Sequence, residues 1–275
     1  NFFLSISGGN LGRSVANAHT TFKIIEVLFM FPCTPLVVAL TEKIIPGEDQ
    51  KVHHNELQYI TEISLKSPAT MIPQAKNELK RMADMAQENL DRSIKGFLNQ
   101  SDEYLNKIYH REEDINNVSH AITDYLIKSN QLSLPLADQK ILGSMFYVVN
   151  DIERIGDHAV NICDYTKLIE EKQIVFSDSA KQQMKEMKMI CEKMFHNISK
   201  EPDDTQAWLQ KVHDSENFID QKTEEFYESH LERINKGECN DEACIIFSEM
   251  LTDFERIGDH AWNVAKQMAK IIERG

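Results

Sequence analysis

Glycine and proline are scarce in this chain, ten and seven of 275 residues, while Met, Glu, Lys, Gln and Ala are plentiful. That balance disfavours strands and favours helix. Basic residues are also short. The 30 Lys and Arg against 44 Asp and Glu leave a net charge of −14, which excludes nucleic acid as the expected partner because phosphates need a basic surface. An acidic chain suits cations instead. The five cysteines, Cys33, Cys163, Cys191, Cys239 and Cys244, form no Cys-x-x-Cys and no zinc-type spacing with histidine. Scattered and odd in number, they read as reduced thiols serving as small hydrophobes. The histidines show no His-x-x-x-His and no Glu-x-x-His, so neither a dedicated zinc site nor a ferritin-type di-iron centre is expected. No nucleophile elbow, triad context or Gly-rich phosphate loop is present, Ser7-Gly8-Gly9-Asn10 being too short.

What the chain has is a duplication. Glu-Arg-Ile-Gly-Asp-His-Ala occurs at 153–159 and again at 255–261. The identity extends to Asp151 and Asp253 and to Asn161 and Asn263, with Ile152 corresponding to Phe254 and Val160 to Trp262. The offset is 255 − 153 = 102 residues, an internal repeat. Each copy carries Glu-x-x-x-Asp. On a helix these two carboxylates are neighbours on one face, and like charges at that spacing repel by a few tenths of a kcal/mol. A cation relieves that repulsion.

Helices are expected near 70–98, 102–130, 136–172, 177–199, 204–236 and 241–274. Ser177 and Asp203 are candidate N-caps and Gly237 a C-terminal stop. In the last helix Met250, Phe254, Ile257, Ala261, Val264, Met268 and Ile271 alternate spacings of four and three, the seam of a bundle. Val148, Ile152, Ile155, Ala159 and Ile162 repeat it one period earlier. The fold class is therefore all-α: two repeated three-helix bundles, at 70–174 and 175–275. Residues 46–69 read as a linker opened by the Pro46-Gly47 turn. Residues 1–45 differ in kind. Ile24 to Leu40 carries one charge, Glu26, and two prolines, Pro32 and Pro35. This is short of the ~20 apolar residues of an independent span, but it fits a membrane-associated helix broken at the prolines within a larger bundle. Lys23 and Glu26, three apart, are placed to pair. The chain opens at Asn1 inside this apolar run, with no signal-peptide pattern, and is expected to be a fragment.

At 100° per residue, Glu255 and Asp259 fall almost opposite the apolar seam, on an outer face. A solvated surface with Arg154 and Arg256 nearby is the bland alternative, which verbatim duplication weakens. A second pair on the preceding helix of each repeat weakens it further: Glu216 with Asp220, and at the equivalent place Glu112 with Asn116. Two carboxylate pairs on neighbouring helices would offer oxygen ligands to Mg, Mn or Fe. Gly156 and Gly258, costly by about 1 kcal/mol inside a helix, suggest close approach of another helix or a ligand. His158 and His260, one residue past the Asp, point away and read as surface or interface residues.

These features resemble the PhoU domain, over roughly 70–275. The resemblance implies metal clusters held on helix surfaces, with Glu153, Asp157, Glu216, Asp220, Glu255 and Asp259 as ligands and Glu112 as a further one. Asn116 departs from the acidic pattern. The stretch Arg13-Ser-Val-Ala-Asn-Ala-His19-Thr-Thr-Phe22 and the apolar run after it resemble the last membrane segments of bacterial sodium/phosphate cotransporters that carry such a domain, and the junction Leu65 to Glu78 resembles their linker into its first helix. This second resemblance implies a cell-membrane protein, with residues 46–275 cytoplasmic and non-catalytic. Phosphate and sodium would be handled by the complete transporter, whose Gln-Ser-Ser type substrate motifs are absent from this chain, and homo-oligomers are compatible. A soluble phosphate-signalling adaptor that binds transporter or kinase partners is the alternative. An enzyme with a surface di-metal site is the third reading, disfavoured by the shallow placement of the carboxylates.

Overall fold

The computed structural model describes residues 11–44, 57–61, 68–99, 101–199, 202–237 and 241–273. The chain divides into two units, Asn1–Lys51 and Val52–Gly275. In the first, α1 spans Leu11–Ile44. It runs through Pro32 and Pro35 without interruption, so the expected break at the prolines does not occur. Lys23 Nζ meets Glu26 Oε2 at 2.7 Å, as their spacing suggested. The membrane assignment fails. No helix among the described residues is long and apolar enough to cross a membrane. The physical reason is charge placement. Between Glu26 and Glu42 only 42 − 26 − 1 = 15 uncharged residues remain, both prolines among them, against the ~20 a span requires. The expectation of a cell-membrane location is overturned with it.

The second unit is built from α2 (Pro68–Asn99), a 3-10 turn (Asp102–Tyr104), α3 (Leu105–Asn130), α4 (Leu136–Lys172), α5 (Asp178–Ile198), α6 (Thr205–Asn235) and α7 (Asp241–Ile272). Ser177 caps α5 by accepting from the Ala180 amide at 3.2 Å. The cap of α6 is Asp204 rather than Asp203. Its Oδ1 accepts from the amides of Gln206 and Ala207 at 2.9 and 3.1 Å, which satisfies two of the donors a helix start leaves open. Gly237 follows α6 at φ +68°, a conformation that suits a residue without Cβ. The Pro46-Gly47 turn and Cys239 lie outside the described residues. Cys33, Cys163, Cys191 and Cys244 form no disulfide. Burial pushes the Cys163 thiol up to about 11 and the Cys191 thiol to about 12, consistent with inert core thiols.

The seam positions are the core. Val148, Ile152, Ile155, Ala159 and Ile162 of α4 are buried, as are Met250, Phe254, Ile257, Ala261, Val264 and Ile271 of α7. A fully buried side chain such as Phe254 contributes about 1.5–3 kcal/mol. The two signature helices, α4 and α7, pack extensively on each other, and the buried side chains of both repeats belong to one cluster. The repeats therefore share one interior rather than forming two separate bundles. Residues 57–61 are tied to the same interior. The buried carboxylate of Glu78 accepts from the amides of Gln58 and Tyr59 at 2.9 and 2.8 Å and pairs with Arg81, and Ile60 is buried.

Candidate metal centres

Within each repeat, the carboxylate-bearing helices run antiparallel, side by side. In the first, a Cβ on Gly156 of α4 would lie 2.8 Å from Glu112 Oε2 and 3.4 Å from Ile115 Cδ1, both on α3. In the second, a Cβ on Gly258 of α7 would lie 3.2 Å from Ile219 Cδ1 on α6. The helical glycines are thus explained. They let the neighbouring helix approach, and in the first repeat they leave room for a carboxylate. The sequence left open which signature helix each second motif faces. It is the one in its own repeat. Burial first, then Asp157 and Glu153, push the Glu112 carboxyl up to about 7. Burial first, then Glu216, Asp259 and Glu255, push Asp220 up to about 6. Glu153 is also raised, by burial and then by Asp157. All seven candidate residues are therefore gathered into two acidic seams: Glu112, Glu153 and Asp157 in one, Glu216, Asp220, Glu255 and Asp259 in the other.

The seams are less exterior than the helical wheel implied. Glu153, Asp157, Glu255 and Asp259 are partly buried and Glu216 is buried, while Asp220 is exposed at the rim of the second seam. The wheel treats a helix as packed on one side, whereas α7 packs against α4, α5 and α6. The fully outward positions belong to Arg154 and Arg256, which reach back to Asp157 at 3.1 Å and Asp259 at 3.5 Å. With the carboxylates repelling one another and two drawn to arginines, no group of three His, Cys, Asp or Glu among the described residues closes to metal-holding geometry. The donor set nevertheless fits a cation. Both carboxylate oxygens of Glu112 and Oε2 of Glu216 are buried, with the Asn116 side chain facing the first carboxylate and His213 Nδ1 lying 3.3 Å from the second. A buried acceptor short of donors costs about 1–3 kcal/mol unless something positive meets it. Oxygen-rich clusters of this kind suit Mg, Mn or Fe.

The raised carboxyls make the metal-free chain pH-sensitive. A carboxyl with a folded pKa above its unfolded value contributes stability that is complete below the unfolded pKa and lost as pH rises through the folded one. For Glu112 the window runs from 4.5 to about 7, and for Asp220 from 3.8 to about 6. In chelator, Glu112→Gln combined with Asp220→Asn is expected to melt increasingly above the parent as pH rises from 5 to 7.5. Melting curves at four pH values measure it. A constant difference would mean that these carboxyls ionise as freely folded as unfolded.

A second constellation was visible in the sequence only as unexplained identity. Asp253 Oδ1 accepts from His158 Nδ1 at 2.7 Å and from Asn161 Nδ2 at 3.0 Å. Reciprocally, Asp151 Oδ1 lies 2.9 Å from His260 Nδ1 and 3.5 Å from Asn263 Nδ2. The two imidazoles sit 5.7 Å apart. Each repeat thus supplies the acceptor for the other's donors, across the α4–α7 packing. The histidines are interface residues, as their one-residue step from the Asp indicated. Their Asp and Asn partners went unread because the pairing joins residues 92–112 apart.

Comparison with known proteins follows this geometry. The family model described as the PhoU domain matches residues 79–166 and 184–268. The chain is 23% identical over 204 residues to the phosphate-specific transport system accessory protein PhoU homolog 1 of Thermotoga maritima, covering 71% of this chain and 84% of that protein. It is similar in fold to the crystal structure of PhoU from Pseudomonas aeruginosa, with a TM-score of 0.68 and 16% identity over 74% of this chain and 98% of that one. The phosphate transport system regulatory protein PhoU of Streptococcus pneumoniae gives a TM-score of 0.64 and 15% identity over 75% and 97%.

Proposed function

This chain belongs to the PhoU domain family, and we propose that it is a non-catalytic accessory protein of phosphate transport whose two acidic seams bind metal ions. The observation that supports the metal reading is the pair of seams themselves, each with carboxylate oxygens buried beside like charges. In the first, Glu112, Glu153 and Asp157 would hold the ion. In the second, Glu216, Asp220, Glu255 and Asp259 would. Hard or borderline cations, Mn, Fe or Mg, match such ligands. The bound ion would neutralise the seam and tie α3 to α4 and α6 to α7. The transport reading is supported by the name of the Thermotoga relative. An adaptor that engages a transporter or kinase partner is favoured over a domain attached to a sodium symporter, because the matched proteins are PhoU proteins and α1 is not long and apolar enough to cross a membrane. Occupancy would regulate the partner only if the metal-bound and metal-free forms differ in affinity for it.

A ligand that binds only the folded form stabilises it by about 2.7 kcal/mol at 100 times its Kd. Mn(II), Fe(II) or Mg(II) added to the chelator-treated chain is therefore expected to raise the melting temperature with concentration. Asp157→Asn combined with Asp259→Asn should remove that rise while leaving helix content unchanged. If the Asn variant responds to metal as the parent does, the seams are solvated faces and nothing more.

A further inference from the structure

A cavity of about 490 Å³ lies between the two repeats, and none of the seam carboxylates lines it. Its volume is that of a small-molecule site. Helices α2 and α7 both pack on α4, and the cavity is the gap left between them. Leu79 of α2 forms one wall, Val264 and Met268 of α7 the other, and Val148 and Ile152 of α4 the floor. Trp208, near the start of α6, adds an aromatic wall. The indole Nε1 donates to the Asn197 carbonyl at 2.8 Å, so the surface it turns to the cavity is apolar. These walls can bury an aliphatic chain and offer it no polar partner. The charge stands at the rim. Lys76 and Lys80 of α2 both border the cavity. Four residues apart, they share one helix face and repel each other. Among the described residues neither is in an ion pair or a hydrogen bond, whereas the adjacent Arg81 is paired with Glu78. An anion set between the two ammonium groups relieves their repulsion. The remaining polar rim is Asn77, Ser199 and Asp84, the last one turn beyond Lys80 and shared with the neighbouring cleft of α2 and α5.

We propose that this cavity binds a single-chain aliphatic anion of the fatty-acid type, its chain between α2 and α7 and its head group at Lys76 and Lys80. The site is separate from the seams and does not depend on their binding metal. Chain and head group contribute in different ways. Each methylene moved from water onto the apolar walls tightens binding about fourfold. The head group adds an attraction that salt screens. An uncharged alcohol of the same length keeps only the first contribution, and a cationic amphiphile is repelled by the lysines.

The test is titration calorimetry of the chelator-treated full chain with octanoate, decanoate, decanol and decyltrimethylammonium, each below its aggregation concentration. Tryptophan fluorescence with ω-bromoundecanoate locates the site, because bromine quenches an indole in contact with it. The chain has two tryptophans, Trp208 in the cavity wall and Trp262 outside it. The expected result is decanoate bound about 16-fold more tightly than octanoate, at about fourfold per methylene, with decanol weaker and decyltrimethylammonium unbound. Lys76→Gln combined with Lys80→Gln should weaken decanoate about tenfold or more and leave decanol unchanged. Quenching should be lost in Trp208→Phe while calorimetric binding of the brominated acid persists. A parent that binds no decanoate overturns the proposal. So does decanol binding as tightly as decanoate, decanoate affinity unmoved by the lysine substitutions, or quenching that survives in Trp208→Phe. If Trp208→Phe melts below the parent, Met268→Trp, which fills the cavity from the opposite wall, replaces it: decanoate binding should be lost there, and its survival overturns the proposal.

Discussion

Replacing Asp253 by Ala is expected to cost about 2–4 kcal/mol of unfolding free energy, with loss of at least part of the α4–α7 packing. Asp253 is 5% exposed. Its Oδ1 is the shared acceptor for His158 at 2.7 Å and Asn161 at 3.0 Å. Truncation leaves an amide and an imidazole facing a void in a part of the molecule from which water is largely excluded. Hydrogen bonds to a charged group contribute about 1.5–3 kcal/mol each, and relief of the buried charge offsets part of the loss. The mirror substitution Asp151→Ala should cost less, because its contacts are longer, 2.9 and 3.5 Å. His158→Ala combined with Asp253→Ala should cost less than the two losses added, with a coupling of about 1–3 kcal/mol. Arg256→Ala, at an exposed position on the same helix, should change stability by about 0.5 kcal/mol or less. Urea unfolding in chelator measures all of these. Equal effects at Asp253 and Arg256 would show that the cross-repeat bonds do not hold the repeats together.

The reason this network matters lies in where it sits. Asp151 is two residues from Glu153, and Asp253 two from Glu255. The cross-repeat bonds fix the rotation of both signature helices about their axes, and that rotation sets the direction in which the carboxylates project into the seams. Stability and site geometry share the same helical turns.

Much of this was legible in the sequence, for specific physical reasons. Helix boundaries came within about three residues because the four–three seam on α7 and its copy on α4 are strongly periodic, and because Ser177 and Gly237 are capping residues of clear type. The offset of 102 residues identified the repeats. The equivalent places of Glu112 and Glu216 marked the second motifs, but which signature helix each faces was not legible. Depth was not legible. A helical wheel assumes one buried side, and Glu255 and Asp259 were read as outward until α6 was seen to cover their flank. The pairing of His158 with Asp253 was hidden because it depends on how the two copies face each other, which a period does not encode. The N-terminal stretch was misread because the apolar average over Ile24–Leu40 outweighed Glu26 within it and Glu42 just beyond it, and because a proline inside a helix does not always break it.

The central claim is that the duplicated carboxylates bind metal in two unlike seams, and direct counting of Mn(II) bound per chain by the metal-free protein tests it most closely. Asn116 gives the first seam a neutral amide where Asp220 gives the second a carboxylate, and hard cations favour charged oxygen. The account predicts two classes of site, the second-seam class filling first. Glu216→Gln combined with Asp259→Asn should weaken that class by about 100-fold or more, roughly 2.7 kcal/mol, and leave the other intact. Glu112→Gln combined with Asp157→Asn should do the reverse, and Asn116→Asp should tighten the weaker class towards the stronger. A parent that binds no Mn(II), or binds it with an isotherm that none of these substitutions changes, would contradict the account.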